Sequence, residues 1–233
     1  MTARGTTTQV LAIVAACSAA AAVLAPPFDR LADASFAWHM GQHLVLLFIV
    51  PLFVLLARPF EAFFAIAGKR RAGAVVRAVR PFHCIVHPVV TLALFTGYLW
   101  GMHFSPLYES ALEHPLVHVA EHIGLLVTGT LFWLPVVSPA PLRPLNFPAR
   151  LLYLLLALPQ GALLGFALSA ARAPLYAHYA AVASPQAALA DQSNGAAVMW
   201  VGGGLVIFSA FMVTLGLWAR RESIADWLGG EVA

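Results

Sequence analysis

Long apolar runs, separated by short polar or proline-containing connectors, dominate the pattern of positions along this chain. A helix needs roughly 20 apolar residues to cross a bilayer core of about 30 Å. The runs predict about six spans, near Thr8–Leu24, Phe36–Ala57, Phe82–Gly101, Leu116–Val137, Leu151–Ala170 and Ala196–Trp218. A membrane β-barrel would show short alternating segments instead. The pattern therefore predicts an all-α, polytopic transmembrane helix bundle that forms a single integral membrane domain over residues 1–233.

Composition agrees with this class of protein and excludes several others. Hydrophobic residues make up 61% of the 233 residues and charged residues 10%, whereas a soluble domain carries about 25% charged residues. A nucleic-acid-binding domain, a disordered tail and almost any ordinary cytosolic enzyme are excluded on this ground. Cys17 and Cys84 lie far apart and form no CxxC pair, so neither a disulfide framework nor a thiolate zinc site is expected.

Lysine and arginine positions predict the orientation of the bundle. Eleven of the 13 lie on one side of the predicted membrane, and only Arg30 and Arg172 lie on the other. Since cytoplasmic loops carry an excess of these residues, we expect both termini in the cytoplasm, in a cell inner (plasma) membrane. Residues 58–83 are then a basic cytoplasmic loop with an amphipathic helix on anionic lipid. Residues 1–25 are expected to be a retained first span, with a signal anchor as the alternative.

The nine histidines of this apolar chain are the candidate functional residues. On the predicted topology, seven of them lie at the outward, periplasmic ends of the spans. His39/His43 and His118/His122 are each spaced four residues apart, so the members of a pair point the same way, one helical turn apart. Ionisable groups inside spans are costly and face the bundle interior with partners. Two such pairs at one depth predict a shared metal or cofactor site.

Four further residues at this level are candidates for the same site. His103 and His114 are expected to be ligands through which an ion arrives or is exchanged, although Pro115 biases His114 toward capping a helix. Glu121 is a weaker candidate, as an outer partner that orients an imidazole or serves another neighbour. Asp191 is also weaker, and either caps the last span or hydrogen-bonds a ligand imidazole. The cytoplasmic HxxxH pair at positions 83 and 87 is discounted because Pro88 follows it.

The nature of the ion follows from the ligand types. Imidazole suits zinc, copper, iron and nickel, while thioether sulfur favours Cu(I). Met40, Met102 and Met199 lie at the level of the histidines, and they favour copper. Neither an HExxH motif, a Ser/His/Asp arrangement nor a glycine-rich phosphate loop is present. The absence of these motifs disfavours the chemistry of a zinc hydrolase.

Four segments, in the same order along the chain, resemble the CtaG family of multi-span membrane cytochrome c oxidase assembly proteins. They are HMGQHLVLLFIVPLFVLLARP (39–59), HFSPLYESALEHPLVHVAEHIGLLVTGTLFWLPVVSP (103–139), PLYAHYA (174–180) and DQSNGAAVMWVGGG (191–204). The resemblance implies a role in the maturation of a haem–copper oxidase, at the step that loads copper. An oxidase subunit or a copper chaperone is then the expected partner. The family's pattern maps onto His39, His43, His103, His114, His118, His122, Asp191, Gln192, Met199 and Trp200.

Three other functions remain open at this point. A b-type haem protein that moves electrons would use histidines on two helices as axial ligands, and Gly161 and Gly165 would help to admit the macrocycle. A metal or proton transporter would need polar residues that continue through the bilayer, and the outer polar cluster fades after His122. A purely structural subunit associated with the oxidase is the third alternative.

Overall fold

The structure is a computed structural model that describes residues 3–79, 84–137 and 145–230. The described residues form a bundle of helices, as the apolar pattern predicts. In chain order the helices are α1 (Ala3–Leu24), α2 (Pro26–Ala34), α3 (Phe36–Leu44), α4 (Val50–Leu56), α5 (Pro59–Val79), α6 (Pro88–His103), α7 (Pro106–Glu113), α8 (Pro115–Val137), α9 (Phe147–Ser169), α10 (Ala177–Val182), α11 (Pro185–Ala197) and α12 (Gly203–Gly230). Two π-helical segments, Val45–Ile49 and Val198–Gly202, join α3 to α4 and α11 to α12.

Five helical stretches among the described residues are long and apolar enough to cross a membrane. They are Thr6–Leu24, Phe36–Leu56, Pro115–Val137, Phe147–Ser169 and Pro185–Ser223. Each coincides with one of the predicted spans, so the prediction of a polytopic helical bundle is confirmed. The last stretch begins 11 residues before the predicted Ala196, because Ser184 caps its first turn and Pro185 occupies the first helical position.

The predicted third span differs most from the structure. The spacing predicts Phe82–Gly101, whereas α6 covers Pro88–His103 and has 16 residues. At 1.5 Å per residue it is about 24 Å long, which is shorter than the hydrocarbon core of a bilayer. Pro88 sets the start, since proline suits the first turn, and the His87 ring accepts a hydrogen bond from the Val89 N–H. Residues 80–83 lie outside the described residues.

The segment predicted as a basic cytoplasmic loop is largely helical where it is described. Helix α5 covers Pro59–Val79 and bends at Gly68, whose φ of 73° lies in the left-handed region that favours glycine. Basic residues follow this bend, and the amphipathic helix on anionic lipid stays a prediction. The side of the membrane on which α5 lies stays a prediction.

A close contact between two spans sets the position of the histidine pairs. Pro51 has no N–H to donate to the Leu47 carbonyl one turn earlier, and the helix widens there into the π-helical segment. Gly129 of α8 packs directly on this carbonyl, and a Cβ atom at this position would overlap with the Leu47 oxygen. Beside it, the Trp133 indole donates a hydrogen bond to the Phe48 carbonyl at 2.9 Å. These contacts fix α8 against the Phe36–Leu56 span.

Asp191 and Gln192 hold together the helix ends at the side of the bundle where α3 begins. The Asp191 carboxylate accepts hydrogen bonds from the Ser35 hydroxyl at 2.8 Å and from the Phe36 N–H at 2.6 Å. Asp191 therefore caps α3, which begins the second span, and not the last span in which it lies. The Gln192 amide joins the Leu175 N–H to the Leu168 carbonyl, at 2.7 and 3.0 Å.

Candidate metal centre

The two histidine pairs face each other at one end of the bundle. His39 and His43 lie in the first two turns of α3, and His118 and His122 lie in the first two turns of α8. Across the two helices, the ring centroids of His39 and His118 are 5.4 Å apart, and those of His43 and His122 are 5.9 Å apart. The spacing of four residues brings the rings within each pair to 4.3 and 4.2 Å. All four imidazoles therefore belong to one cluster.

Glu121 completes the cluster from α8. Its side chain is buried, and its two carboxylate oxygens lie 3.8 Å from His39 Nε2 and 3.6 Å from His43 Nε2. The Glu121 carboxylate therefore faces His39 and His43 on α3 rather than His122, because successive residues of a helix point about 100° apart. We refer to His39, His43, His118, Glu121 and His122 as the imidazole–carboxylate cluster.

The ligating atoms of the cluster are close enough to share an ion. One group, His39, His118 and His122, and a second, His39, His43 and Glu121, each have all their ligating atoms within 4.8 Å of one another. Two atoms bound to one metal at about 2.0–2.2 Å lie roughly 3.3–3.8 Å apart at angles between tetrahedral and trigonal. The separations of 3.6 and 3.8 Å between carboxylate and imidazole suit that arrangement. They exceed the usual range for a hydrogen bond.

The same atoms lack hydrogen bonds. Six buried atoms of the cluster have no hydrogen-bond partner within the described part of the chain: the Nε2 atoms of the four histidines and both oxygens of Glu121. Leaving one buried polar group unsatisfied costs about 1–3 kcal/mol, and more for a charged group. A cation held by His39, His43 and Glu121, or by His39, His118 and His122, would satisfy the atoms of that group together when each Nε2 presents its lone pair.

A tyrosine fixes which nitrogen His39 presents to the cluster. The Tyr179 hydroxyl lies 3.2 Å from the Ala32 carbonyl, to which it donates, and its oxygen lies 3.0 Å from His39 Nδ1. The Nδ1–H therefore donates to Tyr179, and Nε2 keeps the lone pair that faces Glu121. Burial raises the pKa of the Tyr179 hydroxyl well above its usual range, so the phenol stays protonated. The Tyr108 hydroxyl lies 3.2 Å from the Tyr179 hydroxyl and extends this series of hydrogen-bonding groups.

The tyrosines are functional residues that sequence reasoning missed. Tyr179 lies on α10, 140 residues along the chain from His39. The segment PLYAHYA contributed to the family resemblance, but no spacing rule connects it with α3. The signal that could have found it is the rule that a ligating histidine usually donates its second N–H to a fixed partner.

The remaining predicted residues divide between the cluster's surroundings and its edge. His103 is buried beside the cluster, and its Nε2 lies 3.4 Å from the Met40 sulfur. Met102 and Met199 are also buried, and together with Met40 and His103 they line one cavity. His114 is exposed at the junction of α7 and α8, where its carbonyl accepts from the His118 N–H, and it does not join either ligand group. Its predicted role in exchange stays a prediction.

The other histidines lie apart from the cluster where they are described. His178 lies on α10, and its ring nitrogen is 3.0 Å from the Asp33 carbonyl. His87 caps α6 at the end where that helix begins. His83 lies outside the described residues. The HxxxH pair at 83 and 87 therefore adds no described ligand to the cluster.

The chain is similar to known proteins along nearly its whole length. A family model described as "Cytochrome c oxidase caa3 assembly factor (Caa3_CtaG)" matches residues 2–221. Uncharacterized proteins of Mycobacterium leprae (strain TN) and Mycobacterium tuberculosis (strain CDC 1551 / Oshkosh) are 27% and 26% identical to it over 204 residues. These matches cover 82% of this chain and 31% of each relative, so the chain spans about a third of the relatives' length. No solved structure shows a significant match.

Proposed function

The chain belongs to the Caa3_CtaG family of cytochrome c oxidase assembly factors, and from that premise we propose that it binds copper in the imidazole–carboxylate cluster and delivers it to a haem–copper oxidase. The observation that carries the proposal is the set of six buried nitrogen and oxygen atoms without hydrogen-bond partners among the described residues. A cation can satisfy the atoms of each ligand group together, whereas a second proton on several of these histidines would place like charges side by side in an apolar bundle.

Ligand chemistry supports copper among the candidate cations. Imidazole and carboxylate are ligands that zinc, iron and copper all accept. Methionine sulfur beside the cluster, from Met40, favours copper over the other two. The assembly-factor family supports the same choice, since a haem–copper oxidase contains copper as a component that must be inserted.

Delivery requires that the ion can leave. Each group of ligating atoms within 4.8 Å supplies three residues, which leaves a tetrahedral ion one ligand short. A partner's ligand can then complete the coordination and replace the ligands of this chain one at a time. His114, exposed at the start of α8, lies one helical turn from His118 and is placed to assist that exchange. Such a protein is a binding and delivery module rather than a catalyst.

The excess of basic residues in one set of loops supports a location for this process. We therefore propose that the end of the bundle that carries the cluster lies on the periplasmic side of the plasma membrane. The donor or acceptor of copper is then a chaperone or an oxidase subunit that presents its ligands on that side. The lipid bilayer holds the two membrane proteins in one plane, which favours their encounter.

Metal content and oxidase maturation test the proposal together. The double variant His118→Ala/His122→Ala removes one of the two ligand groups, and in detergent it should bind less copper through nitrogen and oxygen ligands than the wild-type protein. It should also lower the copper content of the oxidase in cells, while the variant protein remains in the membrane. His87→Ala is the matched control, because this histidine caps α6 and does not join the cluster. Unchanged copper in the double variant would overturn the proposal.

Two further measurements separate the alternative functions. A Soret band in the absorption spectrum of the purified protein would favour a b-type haem protein instead. Copper flux into vesicles that contain only this chain would favour a transporter. The proposed assembly factor should show neither signal, and it should retain copper on gel filtration.

A further inference from the structure

A buried histidine and a methionine next to the imidazole–carboxylate cluster face each other with lone pairs. His103 Nδ1 lies 2.7 Å from the Leu99 carbonyl, which can only accept, so this nitrogen carries the proton of the neutral ring. His103 Nε2 therefore has a free lone pair, and it lies 3.4 Å from the Met40 sulfur. Thioether sulfur has no proton to donate, so no hydrogen bond joins these two atoms.

The separation of these two atoms suits a bridging ion. Metal bonds of about 2.0 Å to nitrogen and about 2.3 Å to sulfur place the two ligands roughly 3.5–3.7 Å apart at angles from tetrahedral to trigonal, close to the 3.4 Å between these atoms. Both side chains are buried, with 6% of His103 and 0% of Met40 exposed. Water therefore competes poorly for an ion held between them.

Two more thioethers line the same cavity. Met102 and Met199 are buried at 8% and 7% exposure, and both contribute to the cavity that Met40 and His103 line. The other side chains along the cavity are mainly apolar, including Phe48, Phe95 and Leu125. Three thioethers and one imidazole in an apolar cavity are a soft ligand set, which selects a soft monovalent ion over hard divalent ones.

We propose that His103, Met40, Met102 and Met199 form a second metal site, the thioether site, that holds Cu(I) beside the imidazole–carboxylate cluster. His43 and Glu121 belong to the cluster and also line this cavity, so the two sites are directly adjacent. An ion in the thioether site can therefore pass to the cluster by exchange of ligands, without crossing lipid. The inference rests on the proposed function for its choice of copper, but its ligands are a separate set of residues.

X-ray absorption at the copper edge tests the thioether site on the full-length protein in detergent. The protein is loaded with Cu(I) under anaerobic conditions, and Ag(I) serves as a second, redox-inert probe of stoichiometry. Met40→Leu should lower the number of sulfur neighbours in the first coordination shell and lower the bound Cu(I) and Ag(I). Leucine matches methionine closely in volume, so the fold should persist. Met212→Leu is the matched control, because Met212 is 42% exposed on α12 and does not line the cavity.

The cluster variant separates this inference from the proposed function. His118→Ala/His122→Ala should keep a sulfur-ligated Cu(I) and lose only ions bound through nitrogen and oxygen. If that variant binds copper like the wild type while Met40→Leu binds none, the proposed cluster function fails and the thioether site stands. A wild-type spectrum without sulfur, or equal binding by Met40→Leu and Met212→Leu, would overturn the thioether site.

Discussion

Replacing Tyr179 by phenylalanine removes one buried oxygen atom that orients a proposed ligand. In the structure this hydroxyl accepts the His39 Nδ1–H at 3.0 Å and donates to the Ala32 carbonyl at 3.2 Å. Without it, the His39 ring loses the partner that holds its Nε2 lone pair toward Glu121. The imidazole can then rotate or carry its proton on Nε2, and in either case it is a poorer ligand.

The expected loss follows from measurements on outer partners of metal-binding histidines. Removing such a partner typically lowers metal affinity 10–100-fold, which corresponds to about 1.4–2.8 kcal/mol. Stability should fall too, because the Ala32 carbonyl and the Tyr108 hydroxyl also lose a contact. We expect about 1–3 kcal/mol for these buried groups.

Tyr153→Phe separates the two effects. Its hydroxyl is also buried, donating to the Phe132 carbonyl at 3.0 Å and lying 3.2 Å from the Thr91 hydroxyl, away from the cluster. Both variants should therefore lose similar stability in thermal unfolding. Only Tyr179→Phe should weaken copper binding in a competition titration against a chelator. If the two variants bind copper equally well, Tyr179 is a structural residue and the assignment of His39 Nε2 as a ligand atom is wrong.

Three other substitutions test the packing and charge of the centre. Gly129→Ala places a Cβ atom against the Leu47 carbonyl, so α8 must move away, and we expect a lower unfolding temperature and loss of bound copper. Gly97→Ala is the control, because a Cβ atom there meets no atom within 4 Å, and it should change neither quantity. Glu121→Gln keeps the shape of the side chain but removes its charge. Because this group faces the proposed ion directly, a chelator titration should show the affinity for copper lowered by more than about tenfold. An unchanged affinity would exclude Glu121 as a ligand. Asp191→Ala removes the cap of α3 and should cost about 0.5–2 kcal/mol in the free energy of unfolding, with copper stoichiometry unaltered; a loss of copper without a loss of stability would instead make Asp191 part of the centre.

The spans were predictable from sequence because their cause is local. A long apolar run crosses a bilayer whatever its neighbours are, and five of the six predicted spans have a helix of sufficient length. The third span was predicted too early because apolar residues before Pro88 were counted into it, although proline begins the helix there. Helix α11 begins before the predicted last span, because its first turns consist of small and polar residues rather than apolar ones.

The sequence by itself determined that His39 and His43 share one side of a helix, as do His118 and His122, because a spacing of four residues acts within a single helix. Only the tertiary structure decided that the two pairs face each other. Rotation of a span about its axis depends on packing, here the contact of Gly129 with the Leu47 carbonyl. Helical spacing predicted the depth and direction of each pair, whereas contacts between distant segments decided that they meet.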